Sequence, residues 1–144
     1  MATFLKNINM VSRAATQYSE ERLAEVTDLK GYHSKYILTV CNNPGVSQDA
    51  LARVLFVNKS NVARQLSVLE DLGYVERRSG EDRRVSLVYP TERAFTVRET
   101  IRKINAEWRE VICEGFSDGE KELLLHFTER LYQNAVKYME EKID

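Results

Sequence analysis

From Val46 to Ala94 the chain sets out cap residues, apolar spacings and turn residues in an order that admits few folds. Ser47 opens a short helix with Asp49 in its first turn, where a carboxylate complements the helix dipole. Leu51, Ala52 and Leu55 form the apolar side of that helix, and Phe56-Val57 makes a turn. Asn58 then caps a second helix that carries Val62, Leu66 and Leu69 on one face and ends near Gly73. Tyr74 to Arg78 reads as a strand, Ser79 to Asp82 as a Gly-containing turn and Arg83 to Tyr89 as the return strand. In that return strand Val85, Leu87 and Tyr89 alternate with Ser86 and Val88. Two capped helices across a tight turn, followed by a hairpin with arginines at its tip, suit duplex DNA. One helix can fill the major groove while the hairpin reaches an adjacent minor groove.

The rest of the chain reads as helix. A first helix is expected from about Thr3 to Val26, with Phe4, Ile8, Val11, Ala15 and Tyr18 as a narrow apolar stripe. After a connector at Asp28 to Gly31, a second helix covers Tyr32 to Asn42 and turns Tyr36, Ile37 and Val40 inward. Asn43-Pro44-Gly45 is a turn. Beyond Pro90, Thr91 can cap a long helix from Glu92 to Gly115, marked by Val97, Ile101, Ile104, Trp108 and Ile112. Ser117 and Glu120 form a capping box before a last helix whose stripe is Leu124, Phe127, Leu131, Ala135 and Tyr138. The terminal stripes exceed what one small core can cover, which predicts packing on a second copy with two-fold symmetry.

Composition narrows the classes. With 144 residues, 43% of them hydrophobic, and only 2 Pro and 6 Gly, one mainly helical domain is expected. No apolar run approaches the ~20 residues that span a bilayer, and Met1 to Met10 does not resemble a signal peptide, so the reading is a cytoplasmic protein without membrane association. The net charge of −1 is unevenly spread. Residues 53–93 carry 8 basic and 6 acidic groups, a net +2, whereas residues 94–144 carry 8 basic and 11 acidic groups, a net −3. The positive part coincides with the two-helix and hairpin segment, where Arg77, Arg78, Arg83 and Arg84 fall close together.

The chain resembles the multiple-antibiotic-resistance regulator (MarR) family, near its SlyA branch. The resemblance is carried by Leu51-Ala52, by Lys59-Ser60-Asn61-Val62 and by Leu69-Glu70-Asp71-Leu72-Gly73-Tyr74-Val75. It continues through Arg77-Arg78 and Asp82-Arg83-Arg84 to Thr91-Glu92. It implies a mainly α fold with a small β-hairpin: a single domain, residues 1–144, with a winged helix-turn-helix over 32–91 and dimerisation helices at 1–28 and 92–144. It also implies a homodimeric transcription factor, in function a repressor, that binds palindromic promoter DNA and is modulated by a small phenolic or anionic effector. Two departures stand out. Pro90-Thr91 and Ala94 replace the family's usual Leu-Thr and following Gly, and Asn61 stands where a Thr is common early in the recognition helix.

Lys59, Ser60, Asn61, Arg64 and Gln65 occupy the first two turns of the reading helix in this scheme. Asn and Gln can pair with adenine, Arg with guanine, and Ser with bases or phosphates. Arg84 is the residue chosen for the minor groove, with Asp82 holding it or a neighbouring Arg, while Arg78 and Arg83 touch phosphates. Ser47 and Gln48, at the start of the preceding helix, offer backbone N–H groups to a phosphate. The effector site implied by the resemblance draws on Arg13, Tyr32, His33 and Tyr36. His33 and His126 are read as ordinary helix-surface histidines, with no metal site, no cofactor and no catalytic motif expected. Two other readings are kept: a winged-helix module that docks a protein, and a DNA-binding redox sensor using Cys41 or Cys113.

Overall fold

Local capping sets most of the helix starts. A computed structural model describes residues 2–142. Its elements, in order, are α1 (Ala2–Val26), a single 3-10 turn (Gly31–His33), α2 (Ser34–Asn42), β1 (Val46–Ser47), α3 (Gln48–Leu55), α4 (Lys59–Asp71), β2 (Val75–Ser79), β3 (Ser86–Pro90), α5 (Glu92–Ile112) and α6 (Asp118–Glu140). The Ser47 hydroxyl accepts from Ala50 N–H at 3.1 Å, and Asn58 Oδ1 accepts from Asn61 N–H at 2.8 Å. At Ser117 the capping box is complete: Ser117 Oγ accepts from Glu120 N–H, and Glu120 Oε2 accepts from Ser117 N–H. Each such cap is worth roughly 0.5–2 kcal/mol.

The expected fold class, helices around a small antiparallel sheet, is the one observed, with one addition. The hairpin β2–β3 is joined by β1, so the sheet order is β1-β3-β2, all antiparallel. Val46 pairs with Val88 and Ser47 with Leu87. The return strand starts at Ser86 rather than Arg83, because Val85 N–H bonds back to Asp82 O and closes a turn around both arginines. The second helix likewise begins later than Tyr32, since the chain first makes the 3-10 turn.

The chain forms two compact units, residues 1–108 and 109–144. The first holds the core: Leu23 from α1, Leu29, Tyr36, Ile37 and Val40 from α2 and its approach, Leu51 and Ala52 from α3, Val62, Leu66 and Leu69 from α4, Tyr74 and Val75, Val88 from β3, and Ala94, Val97, Ile101 and Ile104 from α5. Val75 of β2 and Val88 of β3 are the strand residues buried in this core, while Leu87 and Tyr89 are half-buried. In the second unit Cys113 is buried, and Lys121 pairs with Glu110 at 3.1 Å. α6 buries none of its own residues, and Leu123, Leu124, Leu125, Phe127, Leu131, Tyr132 and Tyr138 stand exposed.

Two backbone positions shape the helix-turn-helix corner. Phe56, which ends α3, has φ +51°, a left-handed conformation that costs a residue with a Cβ roughly 1–2 kcal/mol. Its N–H bonds to Arg53 O, and Val57 N–H bonds to Ala52 O, which closes the turn before Asn58. Gly73, at φ +82°, supplies the left-handed residue after α4 without that strain.

Candidate nucleic-acid interface

Burial on one side of α4 fixes what its other side presents. Val62, Leu66 and Leu69 are fully buried, which leaves Lys59, Ser60 and Arg64 exposed and Asn61 and Gln65 half-buried along the first two turns. The Lys59 ammonium lies 3.3 Å from Asp49 of α3, an exposed pair that contributes little to stability. Ser60 Oγ donates to Asn58 Oδ1 at 2.9 Å. Arg64 Nη2 and Gln65 Nε2 both donate to Asn61 Oδ1 at 3.4 Å. The five residues expected to act together on this helix are thus brought onto one connected polar surface.

The arginines of the hairpin separate into different environments. Arg77 turns back to α4. Its guanidinium donates to Ser67 Oγ and to Glu70 Oε1, and its backbone N–H donates to Glu70 Oε2 at 2.9 Å. These bonds hold the Glu70 carboxyl below its ordinary pKa. Arg77 therefore locks β2 onto α4 and leaves the basic patch counted in the sequence smaller by one. Arg78 lies 2.9 Å from Glu76 and stacks over the Tyr89 ring at 4.4 Å. Arg83 and Arg84 sit in the turn, and Arg84 is 90% exposed. Asp82 grips Arg84 with both oxygens, at 3.2 Å to Nε and 3.0 Å to Nη2, and also accepts from its backbone N–H at 3.0 Å. Those bonds lower the Asp82 pKa and aim the arginine by a bidentate fork.

At the start of α3, Ser47 and Gln48 are half-buried, and the Ser47 hydroxyl is already engaged as the cap. The four residues named for an effector are not one cluster. Arg13 lines a shallow groove on α1 with Ser12, Thr16, Gln17, Glu20 and Glu21, a lining that contains none of the three aromatic candidates. Tyr32 is exposed and meets the His33 ring edge-on at 4.5 Å, and Tyr36 is buried in the core.

His33 corrects the sequence reading outright: it is buried, with only 2% of its surface exposed, rather than a helix-surface residue. Its Nδ1 accepts from Lys30 N–H and its Nε2 lies 3.1 Å from Gln65 Oε1. Burial, opposed in part by the Gln65 bond, pushes its pKa below the ordinary histidine value. Nothing in the local sequence marks this burial, because it depends on α4 arriving from more than thirty residues away. A neighbouring cluster was also missed. Tyr74 O–H donates to Asp28 Oδ1 at 2.6 Å, Arg93 lies 2.9 Å from Asp28 Oδ2, and the Arg93 guanidinium covers the Tyr74 ring at 4.3 Å. Burial and the Asp28 bond push the Tyr74 hydroxyl up to about 12.

Cys41 and Cys113 are both buried. Burial raises the Cys41 pKa, the opposite of the shift that makes a thiol a reactive thiolate. Among the described residues no His, Cys, Asp or Glu cluster is arranged to hold a metal ion, and no helix is long and apolar enough to cross a membrane.

Comparison with known proteins gives this arrangement its context. A sequence model of the MarR family matches residues 27–85. The HTH-type transcriptional regulator YybA of Bacillus subtilis (strain 168), itself uncharacterised, is 27% identical over 135 residues, covering 93% of this chain and 89% of that protein. The solved structure of the transcriptional regulator SlyA is 27% identical, with a TM-score of 0.84 over 95% of this chain and 96% of its own. A MarR family transcriptional regulator from Listeria monocytogenes, solved with a 26mer DNA, shares the fold at 22% identity, with a TM-score of 0.82 over 94% of this chain and 90% of its own. Sequence match, relatives and winged architecture point the same way: residues 27–85 match the MarR family, and the fold is similar to that of SlyA and other winged-helix transcriptional regulators.

Proposed function

We propose that this regulator binds palindromic promoter DNA as a homodimer, with α4 in the major groove and the Arg84 wing tip in the adjacent minor groove. The observation that carries the reading is the Asp82–Arg84 fork: an arginine 90% exposed yet held by a bidentate pair, in the turn of the hairpin whose strand β2 is bonded to α4. Lys59, Ser60, Asn61, Arg64 and Gln65 would meet base edges or nearby phosphates, and Arg78, Arg83, Ser47 and Gln48 would meet the backbone. The Listeria relative solved with DNA supports the assignment by its shared fold. For the dimer, the support is the uncovered apolar side chains on α1 (Phe4, Leu5, Ile8 and Val11) and, separately, those on α6. A second copy would remove both sets from water.

Selection of bound sites from a random duplex library, run with the wild type and Arg84→Ala, tests this. The expected result is a palindrome recovered by the wild type and a loss of about 1–3 kcal/mol in affinity for the variant with its fold intact. A protein-docking module would instead recover no motif, and its partner binding would resist salt, whereas phosphate contacts weaken steeply as salt rises. The repressor role and the small aromatic or anionic effector rest on the family resemblance. At the surface such a ligand would meet Tyr32 or Arg13, since His33 and Tyr36 are covered by protein. An unchanged DNA affinity and melting temperature in the presence of salicylate would count against that part of the reading.

A further inference from the structure

One chain of hydrogen bonds runs from the 3-10 turn to the outer face of α4, and its direction is fixed from one end. A backbone N–H can only donate, so Lys30 N–H, 3.1 Å from His33 Nδ1, requires that nitrogen to be an unprotonated acceptor. The neutral ring then carries its proton on Nε2, which donates to Gln65 Oε1 at 3.1 Å. With its carbonyl so engaged, Gln65 directs Nε2 to Asn61 Oδ1. Arg64 Nη2, also donor-only, reaches the same oxygen. The Asn61 carbonyl thus accepts twice, which uses the two lone pairs of such an oxygen, and its NH2 group is the end left to face outward.

This matters because an asparagine reads adenine through both ends of its amide, donating to N7 and accepting from N6. An asparagine whose oxygen is tied offers donors alone. We propose that His33, acting through Gln65, is a specificity-determining positioning residue: it fixes the Asn61 amide with its NH2 toward the groove, so that α4 favours an acceptor edge, guanine O6/N7 or thymine O4, over adenine at that base pair. The proposal rests on α4 being the groove-reading helix. The buried, uncharged state of His33 agrees with its place in the relay, since a second ring proton on Nδ1 would face Lys30 N–H.

The test uses the full-length protein in competition binding against duplexes that differ at single base pairs. The pair read by Asn61 is the one at which Asn61→Ala loses the wild-type preference. There the wild type should favour guanine or thymine over adenine by about 10-fold, the scale of one good base contact. Gln65→Leu, which removes the relay, should reduce that preference to within about twofold. Gln65→Glu should reverse it: the carboxylate still accepts from His33 Nε2–H but must also accept from Asn61 NH2, which turns the Asn61 oxygen outward toward the cytosine or adenine amino group. A purely structural role for Gln65 would lower affinity for all duplexes alike and reverse nothing. Folded variants that both retain the wild-type preference overturn the relay, as does a selected site at which Asn61→Ala changes no position. A wild type that selects no sequence overturns the groove reading itself. A DNA-free check stands beside these: the nitrogen-15 shifts of the His33 ring should report the Nε2–H tautomer, and an Nδ1–H tautomer would overturn the proposal.

Discussion

α4 and α6 differ in what their sequences ask of the rest of the molecule. α4 has 13 residues and sinks Val62, Leu66 and Leu69 completely into the core of its own unit. α6 has 23 residues, a full capping box and an apolar stripe of similar spacing, yet none of its residues is buried. Both are well-formed helices, so periodicity and capping alone do not tell a helix that completes a core from one that offers a surface. For α4 the covering atoms lie within the chain, and its apolar face is a statement about folding. For α6 the face stays uncovered within the chain, and under the proposed dimer it is a statement about assembly.

The sharpest way to break this contrast is to cut into each stripe. Leu66→Ala should cost about 2–5 kcal/mol of stability, the range for a fully buried leucine, read as a lowered denaturant midpoint. A loss below ~1 kcal/mol would mean that α4 is less integral to its core than its burial indicates. The pair Leu124→Asp and Leu131→Asp on α6 should keep the helix content and weaken self-association at least tenfold, about 1.4 kcal/mol, in sedimentation at micromolar protein. An unchanged dimer would place the partner surface elsewhere.

A smaller effect sharpens the α4 side alone. Burial disfavours the charged form of His33, so its folded pKa lies below the ordinary 6.5. As pH falls through about 6.5 the unfolded chain takes up a proton that the folded one does not, and stability declines until the folded pKa is reached. Above pH 7 this contribution is flat. Denaturant midpoints at pH 7.5 and 5.5 should therefore fall further apart in the wild type than in His33→Gln. An equal difference in both proteins would show that other groups carry the acid sensitivity.

Much of this was legible in the sequence, and the division follows range. The caps at Ser47, Asn58 and Ser117 were readable because each is closed within three residues. The core faces of α2 and α4 followed from spacing. β1 was not readable, since two residues carry no period and their partner Val88 lies far along the chain. The start of β3 was misplaced because alternation at Val85 continues the strand pattern through a turn that Asp82 closes. Within the candidate site, the residue types on α4 were legible but their orientation was not: the Gln65–His33 bond and the withdrawal of Arg77 to Glu70 are both tertiary contacts. For Arg13, Tyr32, His33 and Tyr36, aromatic and basic character was visible, while the burial that separates them was not.

Ser47 holds two offices at once: as a strand residue it pairs with Leu87 at the root of the wing, and as a cap it fastens the first turn of α3. A push on the wing is therefore delivered within one residue to the helix pair beside it. The wing is mounted as a lever is on its axle, without a free joint at its base. In the proposed dimer, a signal that sets the spacing of the two wings would have no need to bend either one.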